Sequence, residues 1–443
     1  MAVGSPYPTE FLPTGAAIPS RAAAGPRPRS LSSAPMTLAA ELELPSFDHT
    51  DAELRGDRYR AAMAALEGHD GWLAASPFGY IVLDREAGEF FLRTKAAVFP
   101  GLTIADLFQI TDGPLREEIV KNIINVNGDD HRRLRNLVNP ALSPRAVDRY
   151  RPAMRGFMEQ LFDALPPDGR TEFIGDFAKP YPSLVIAEVM GAPLEDAPRL
   201  HRWSNVIQRQ FDPTSLMTDR AEIEQAVAEF YAYEDELIAR RRAGGDRIPG
   251  DDLISALIKA EESGDRLSDD ELRNLVLNIL VGGVDTSQSQ LAHAIRLLAA
   301  HPDQWELLRS DPRALASAAV DEALRFEPIT PFTARILIDE VEHRGVTFPA
   351  GSIVLVSAWH ANREDVEPDG FDLTAERGGA RLLTFGAGIH YCAGANLARA
   401  EMQEGLAFLA ERVSSLAVDG DPEFGTPSGI YGLQTLPLKL DLA

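Results

Sequence analysis

The sequence contains a single cysteine, Cys392, within the glycine-rich stretch FGAGIHYCAGANLAR at residues 385–399. One thiol cannot form a disulfide within the chain, and a zinc site built from thiolates would need further cysteines. A lone thiolate can instead serve as the axial ligand of a haem iron. The alternative is a cysteine that is buried as a small apolar side chain and has no chemistry of its own.

The residues around Cys392 suit an iron ligand. Gly386 and Gly388 allow the backbone to turn tightly beneath a flat macrocycle, and Phe385 offers an apolar cover for the sulfur. Gly394 follows the cysteine and precedes a helical pattern rich in Ala, Leu and Glu. Such a helix would direct its free N–H groups and the positive end of its dipole at the sulfur, which stabilises negative charge there.

A second patch with chemical potential is DDHRRLR at residues 129–135. His131 and Arg135 are four residues apart, so a helix places them on one face, one turn from each other. This cationic pair suits the propionates of a haem, because a planar guanidinium pairs with a carboxylate through two hydrogen bonds. On local grounds a solvated basic face, paired with nearby acids, explains the same pattern. Arg132 and Arg133 would point elsewhere and form an exposed basic cluster.

The third patch, GGVDTS at residues 282–287, lies inside the longest helical pattern of the sequence, residues 268–301. Ser268 and Glu271 have the spacing of a capping box that starts this helix. Gly282 and Gly283 should cost the helix roughly 1–2 kcal/mol relative to alanines. A flat cofactor and a diatomic ligand that lie against the backbone would explain why glycine occupies both positions.

Asp285 and Thr286 form an acid–alcohol pair directly after these glycines. The Thr286 hydroxyl can bond the carbonyl of Gly282, four residues back, which bends a helix and opens a groove. An acid next to an alcohol can also deliver protons to a reacting group. The alternative is a kink caused by glycine, with Asp285 merely solvated.

Together these motifs resemble those of the cytochrome P450 family. The loop at 385–394 matches F-G-x-G-x-H-x-C-x-G, His131 and Arg135 match H-x-x-x-R, and residues 282–287 match the acid–alcohol motif of the family. The resemblance implies haem b (iron protoporphyrin IX) as the cofactor and Cys392 as the proximal ligand of its iron. It implies catalytic roles for Asp285 and Thr286. The implied haem-binding residues are His131, Arg135, Gly282, Gly283, Arg335, Phe385, His390, Cys392 and Gly394.

Glu322 and Arg325 match the E-x-x-R motif of the same family. As an exposed pair three residues apart, they would contribute less than about 1 kcal/mol. The resemblance implies instead a buried network with a later arginine, for which Arg377 is the candidate. We expect this network to hold the cofactor loop in place and to take no part in catalysis.

The composition excludes several classes of partner. The net charge is −24, from 43 Lys and Arg against 67 Asp and Glu, so the chain repels nucleic acid and anionic membranes. No stretch reaches the roughly 20 apolar residues that span a bilayer, and no secretory signal is present. One cysteine and the lack of a targeting segment favour a cytoplasmic location, and the resemblance favours a bacterial protein.

The resemblance implies a mostly α fold with small β-sheets, the α+β cytochrome P450 fold, in a single catalytic domain at residues 46–443. Residues 1–45, rich in Pro and Ala, are expected to be a disordered leader. A start at Met36 and a transit peptide are alternatives for that stretch. Local patterns also predict a helix over 51–67 and strands over 79–84 and 353–356.

The activity implied is that of a haem-thiolate monooxygenase, which inserts one atom of O₂ into a hydrophobic small molecule by hydroxylation or epoxidation. Electrons would come from NAD(P)H through ferredoxin reductase and a ferredoxin, because GxGxxG and clustered cysteines are absent. The basic cluster at Arg132 and Arg133 would then be a docking surface for this acidic donor. A monomer is expected.

Two other functions remain open: a peroxygenase driven by hydrogen peroxide, and a catalytically silent haem protein that recruits partners or senses a ligand. The Asp285–Thr286 pair argues against both, because neither needs a proton relay. The substrate pocket is expected at residues 90–128, at 205–220 (including a mobile lid) and after Pro328. The sequence does not identify the substrate beyond its hydrophobic class.

Overall fold

Helices dominate the fold because apolar residues recur at helical spacing through most of the chain. The computed structural model describes residues 37–67, 71–243, 252–262, 267–364, 370–375 and 381–442. The α-helices are α1 (Gly56–Glu67), α2 (Arg85–Arg93), α3 (Gly101–Leu107), α4 (Gly113–Lys121), α5 (Gly128–Val138), α6 (Pro144–Asp148), α7 (Arg151–Asp163), α8 (Pro180–Met190), α9 (Ala197–Gln208), α10 (Pro213–Thr218), α11 (Arg220–Arg242), α12 (Leu253–Glu262), α13 (Asp269–Gly283), α14 (Asp285–Ala300), α15 (Pro302–Ser310), α16 (Pro312–Phe326), α17 (Ala358–Ala361) and α18 (Ala395–Arg412).

The strands of the described residues form four small sheets. They are β1 (Thr37–Leu38), β2 (Leu73–Ser76), β3 (Gly79–Val82), β4 (Ala97–Val98), β5 (Arg170–Glu172), β6 (Phe332–Leu337), β7 (Val341–His343), β8 (Val346–Phe348), β9 (Ile353–Ser357), β10 (Val413–Val418), β11 (Glu423–Phe424), β12 (Leu433–Thr435) and β13 (Pro437–Leu442). The largest sheet has the order β2-β3-β9-β6-β4, and the others are β1-β8-β7, β10-β13-β5 and β11-β12. The predicted strands at 79–84 and 353–356 are confirmed as β3 and β9, and the structure pairs them in parallel, with Tyr80 opposite Val354.

The predicted long helix over residues 268–301 is two helices, α13 and α14, which meet at Val284. Its start is confirmed, because Ser268 and Glu271 form the expected capping box. The Thr286 hydroxyl donates to the Gly282 carbonyl at 2.7 Å, which is the bond expected from the sequence. A hydroxyl bonded to a carbonyl of the preceding turn competes with the backbone and bends the helix, which accounts for the interruption.

Two predicted boundaries differ from the structure. Helix α1 starts at Gly56 and not at residue 51, because Asp48 and Asp51 accept bonds from backbone N–H groups two residues later and fold the chain into turns. Within the described residues, the first strand is β1, which pairs in parallel with β8, so residues 37–38 of the expected leader belong to a sheet. Residues 1–36 lie outside the described part of the chain.

A single large apolar core joins the helices, and two smaller cores lie beside the sheets of β1–β4 and β6–β9. Almost every residue of α14 is buried, so this helix crosses the interior of the main core. Helix α18 begins two residues after Ala393 and packs on α16 and α7, which fixes the position of the loop before it. Within the described residues, no helix combines the length and apolar character that crossing a bilayer requires.

Candidate functional site

The loop that carries Cys392 is closed by its own backbone. Gly386 and Gly388 have φ values of 68° and 74°, in the left-handed region that favours glycine. The Cys392 amide donates to the Phe385 carbonyl at 3.0 Å, which closes the loop between two short 3₁₀ turns. A Cβ at position 388 would lie 2.5 Å from the carbonyl oxygen of Leu92, so packing against α2 also requires glycine there.

The thiol of Cys392 is free and half-buried. Burial raises the pKa of the Cys392 thiol, whereas the backbone N–H groups of Gly394 and Ala395 and the charge of Arg135 act to lower it. These N–H groups belong to the start of α18, so the helix terminus faces the sulfur as its sequence predicts. Burial outweighs these groups and keeps the pKa of the Cys392 thiol above its ordinary value, and a bound metal ion would displace the proton.

Four basic side chains from three distant parts of the chain meet at this loop, and one of them, His390, belongs to it. The rings of His131 and His390 are 4.4 Å apart between centroids, and Arg135 donates to the Tyr391 carbonyl at 2.9 Å. Arg335 lies on β6, is buried, and donates to the neighbouring Ala334 carbonyl at 2.8 Å. The structure thus brings together His131, Arg135, Arg335 and His390, as the sequence predicts.

The electrostatics of these four side chains favour an anion. Burial, together with the charges of His131, Arg335 and Arg135, lowers the pKa of His390 to about 3. Burial and the charge of Arg135 lower the pKa of His131 to about 4, and burial lowers that of Arg335 to about 10. None of the four forms an ion pair with a carboxylate of the described residues. Clustered basic groups without a counter-charge fit the two propionates of a haem.

The two glycines of the α13–α14 junction have different surroundings. A Cβ added to Gly282 would meet no atom within 4 Å, so open space adjoins this residue. A Cβ on Gly283 would lie 2.3 Å from Cδ1 of Ile186 on α8. The space beside Gly282 fits a flat cofactor or a small ligand, whereas packing against α8 is sufficient to explain Gly283.

Asp285 is neither solvated nor bonded to its neighbour Thr286. Its carboxyl is buried and accepts bonds from Ser204 Oγ at 2.6 Å and Asn205 Nδ2 at 3.2 Å, both on α9. Burial raises the pKa of Asp285, and these two bonds and the charge of His201 oppose the rise. The acid and the alcohol are adjacent in the chain, but their side chains bond different partners. The roles of Ser204 and Asn205 have no signal in the sequence, because α9 reads as an ordinary amphipathic helix.

Glu322 and Arg325 form a fully buried pair, joined by two bonds of 2.8 Å. Arg325 also donates to the Gly370 carbonyl at 2.7 Å, and Glu322 accepts from the Asp372 amide at 2.9 Å. The pair therefore fastens the segment at 370–372 and is buried, as expected. Arg377, the predicted third member, lies outside the described residues.

The basic cluster predicted at Arg132 and Arg133 is largely neutralised. Arg132 pairs with Asp129, and Arg133 pairs with Glu271 and with Asp130. The acids at the start of α5 and α13 are close enough in the fold to compensate both cations. These two arginines therefore provide little uncompensated positive charge for an acidic partner.

Comparison with known proteins agrees with this geometry. A family model, "Cytochrome P450", matches residues 112–426. Luteothin monooxygenase from Streptomyces thioluteus is 34% identical over 405 residues, which cover 90% of this chain and 97% of that protein. 6-Deoxyerythronolide B hydroxylase from Saccharopolyspora erythraea is 34% identical over 421 residues, which cover 92% of this chain and all of that protein.

A solved structure shares the fold over most of its length. The crystal structure of CalO2 superposes with a TM-score of 0.81 at 29% identity and covers 90% of this chain and 99% of that one. The mostly helical α+β architecture is therefore the cytochrome P450 fold. The family match, the relatives and the fold agree with the loop at Cys392 and the basic side chains around it: the chain belongs to the cytochrome P450 family of haem monooxygenases.

Proposed function

We propose that Cys392 binds the iron of haem b and that the chain uses O₂ to hydroxylate or epoxidise a hydrophobic small molecule. NAD(P)H would supply the electrons through ferredoxin reductase and a ferredoxin. The observation that carries the proposal is the free thiol of Cys392 in a glycine-closed loop beside four basic side chains that have no carboxylate partner among the described residues.

Each part of the site has a separate task in this proposal. A thiolate-ligated haem supplies the oxidation itself, since electron donation from sulfur favours cleavage of the O–O bond. Arg135, Arg335, His131 and His390 hold the two propionates, and the fork of each guanidinium matches a carboxylate. The Phe385 carbonyl accepts the bond that closes the loop, and the N–H groups of Gly394 and Ala395 at the start of α18 stabilise negative charge on the sulfur.

Protons are handled by Asp285 and Thr286. The Thr286 hydroxyl donates its hydrogen to Gly282, which leaves its oxygen able to accept a proton or a hydrogen bond. Burial raises the pKa of Asp285, so its carboxyl can hold a proton at higher pH than an exposed aspartate. We assign proton delivery to this pair: Thr286 bonds Gly282, beside which space is open, and Asp285, whose carboxyl is bonded to α9, supplies the proton.

A hydrophobic substrate is supported by the segments that were expected to form the pocket. Phe99, from the 90–128 segment, packs edge-on against Phe211, which ends the 3₁₀ turn after α9, with ring centroids 6.1 Å apart. Both rings remain partly exposed, so they present aromatic surface. The related proteins whose names describe a hydroxylase and a monooxygenase support oxygen insertion as the reaction class. A monomer and a cytoplasmic location stay predictions.

The test is turnover of the purified haem protein with apolar compounds chosen because they shift its Soret band. Product that requires O₂, NAD(P)H, ferredoxin and reductase together supports the proposal. If hydrogen peroxide alone gives product at least as fast as O₂ with the electron donors does, the protein is a peroxygenase. Binding of compounds without product under either condition would identify a silent haem protein.

A further inference from the structure

Two buried histidines have the same bond at one ring nitrogen and differ at the other. His49 and His360 are each 6% exposed. His49 Nδ1 lies 3.1 Å from Ser76 Oγ, and His360 Nδ1 lies 2.7 Å from Ser357 Oγ. The Nε2 atom of His360 bonds the Met63 carbonyl at 3.2 Å, whereas that of His49 has no hydrogen-bond partner among the described residues. Buried polar atoms are nearly always bonded, so the free nitrogen of His49 calls for an explanation.

The serine bond decides which ring nitrogen of His49 carries the proton. Ser76 Oγ accepts the Phe78 amide at 3.4 Å, so its O–H is free to donate to Nδ1 of the histidine. Burial lowers the pKa of His49 to about 4, although the charges of Asp48 and Asp212 act to raise it, so the ring is neutral near pH 7. A neutral ring that accepts at Nδ1 carries its proton on Nε2. The free nitrogen is therefore a hydrogen-bond donor.

The ring of His49 lies where segments expected to form the substrate pocket meet. It packs edge-on against Phe332, with ring centroids 5.8 Å apart, and Phe332 belongs to the segment after Pro328. The charge of Asp212, from the segment at 205–220, acts on the same ring. The atoms of the described residues do not enclose Nε2, so a molecule in the pocket can reach it. A donor at this place is suited to a polar atom of the substrate.

We propose that His49 is a specificity-determining residue that donates through Nε2 to a neutral acceptor of the substrate, such as a carbonyl oxygen. A carboxylate is disfavoured there, because the charges of Asp48 and Asp212 would repel it. Ser76 is a positioning residue, since its bond fixes the ring and its tautomer. The inference rests on the oxygen insertion proposed above and narrows the hydrophobic substrate to one that carries an acceptor group.

The test compares the affinities of the haem-containing protein for dodecan-2-one and 2-methyldodec-1-ene, in which a methylene group replaces the carbonyl oxygen, by Soret titration. One hydrogen bond should make the parent bind the ketone roughly two- to tenfold more tightly. His49→Phe keeps an aromatic ring but has no donor, so it should bind both compounds equally, and Ser76→Ala should lose part of the preference. His301→Phe is the matched control, because His301 also bonds a carbonyl, that of Leu297, and packs on Phe371, at the far end of α14. It should keep the full preference.

The second readout is the NMR signal of the His49 Nε2–H group in the diamagnetic carbon monoxide complex, assigned as the signal that His49→Phe removes. The ketone should shift this signal and the alkene should not. Equal affinities for the two compounds in the parent, a preference kept in His49→Phe, or an Nε2–H signal that the ketone does not move would each overturn the inference. A parent that shows the preference but forms no product under any condition would instead refute the proposed oxygen insertion and leave the role of His49 in binding supported.

Discussion

The surroundings of Arg335 are the strongest indication, at the residue scale, that the site binds an anion. It is buried on β6, and among the described residues its side chain bonds the carbonyl of Ala334 and forms no ion pair. A buried guanidinium without a counter-charge is unfavourable, and burial accordingly lowers the pKa of Arg335 to about 10. The arrangement is explained if a bound carboxylate completes it.

We therefore expect Arg335→Met to loosen the haem. Loss of a hydrogen bond between charged groups costs about 1.5–3 kcal/mol, so haem should dissociate roughly ten- to a hundredfold faster. Transfer of haem to an excess of apomyoglobin measures this rate. Arg145→Met removes a charge from an exposed position and serves as the control. Equal dissociation rates in the two variants would show that Arg335 does not hold the cofactor.

At the scale of elements, the two glycines at the α13–α14 junction are explained by different surroundings: open space beside Gly282 and close packing beside Gly283. Gly282→Ala adds a methyl group to open space and improves helix propensity, so the free energy of unfolding should stay unchanged or rise by up to about 1 kcal/mol. If that space belongs to the haem pocket, the same variant should bind carbon monoxide and imidazole more weakly. Unchanged affinity for both ligands would place Gly282 outside the pocket.

Gly283→Ala should act on stability and not on ligand binding. Its methyl group would lie 2.3 Å from Ile186 Cδ1, and overpacking of this kind lowers the free energy of unfolding by about 1–3 kcal/mol. Ile186→Val removes that carbon, so the double variant should recover part of the loss. Urea denaturation measures the free energy of unfolding of the two single variants and the double variant. If the double variant loses the sum of the two single losses, this account is contradicted.

Helix α4 contains a carboxyl whose ionisation should weaken the fold. Glu118 is fully buried, its Oε2 has no hydrogen-bond partner among the described residues, and burial raises the pKa of Glu118 to about 7. A raised pKa means that its stabilising contribution is complete below about pH 4.5 and is lost as pH rises through 7. Glu118→Gln cannot ionise, so it should gain up to about 3 kcal/mol relative to the parent between pH 5 and pH 8.

Thermal midpoints of the haem protein at those two pH values provide the measurement. The neighbouring Glu117 is exposed on the same helix, and Glu117→Gln is the matched control. If the thermal midpoints of Glu118→Gln and the parent differ by the same amount at both pH values, Glu118 does not titrate in this range.

Features of the helices were predictable from the sequence where they depend on residues close together in the chain. The capping box at Ser268 and the bond from Thr286 to Gly282 involve residues three or four apart, and both are confirmed. The hydrogen bond between Asp285 and α9 could not be predicted in this way, because its partner Ser204 lies about eighty residues earlier in the chain. No local pattern identifies which helix face will cover a given carboxyl. The same reason explains why Glu271, which pairs with Arg133 from the start of α13, has no signal in the sequence.

At the scale of the whole molecule, a buried charge network ties the first helix to the centre of the fold. Glu327 follows α16, is fully buried, and accepts from Arg60 on α1 and from Arg296 on α14, the latter at 2.8 Å. Removing one member leaves buried charges uncompensated, so Glu327→Gln should lower the free energy of unfolding by about 3 kcal/mol.

Glu306→Gln provides the comparison, because Glu306 is exposed and pairs only at the surface with Arg309. Its loss should be below about 1 kcal/mol. Denaturation followed by both haem absorbance and far-ultraviolet circular dichroism measures the two losses. A similar small loss in both variants would mean that the Glu327 network contributes little.

The members of the site were predictable because they lie in short motifs, although those motifs come from positions near 131, 335 and 390. The fold brings these basic groups together around one loop, which the motifs imply and the structure shows. The substrate was not predictable, because the segments that are expected to contact it follow no motif. Packing of Phe99 on Phe211 indicates only that aromatic surface is present.

The central claim is that the sulfur of Cys392 binds the iron of a haem. Its most direct test is the absorbance of the reduced protein under carbon monoxide, compared between the parent and Cys392→Ala. We predict the red-shifted Soret band that is diagnostic of thiolate ligation in the parent and its loss in the variant. A parent without that band, or a variant that keeps it, would contradict the account.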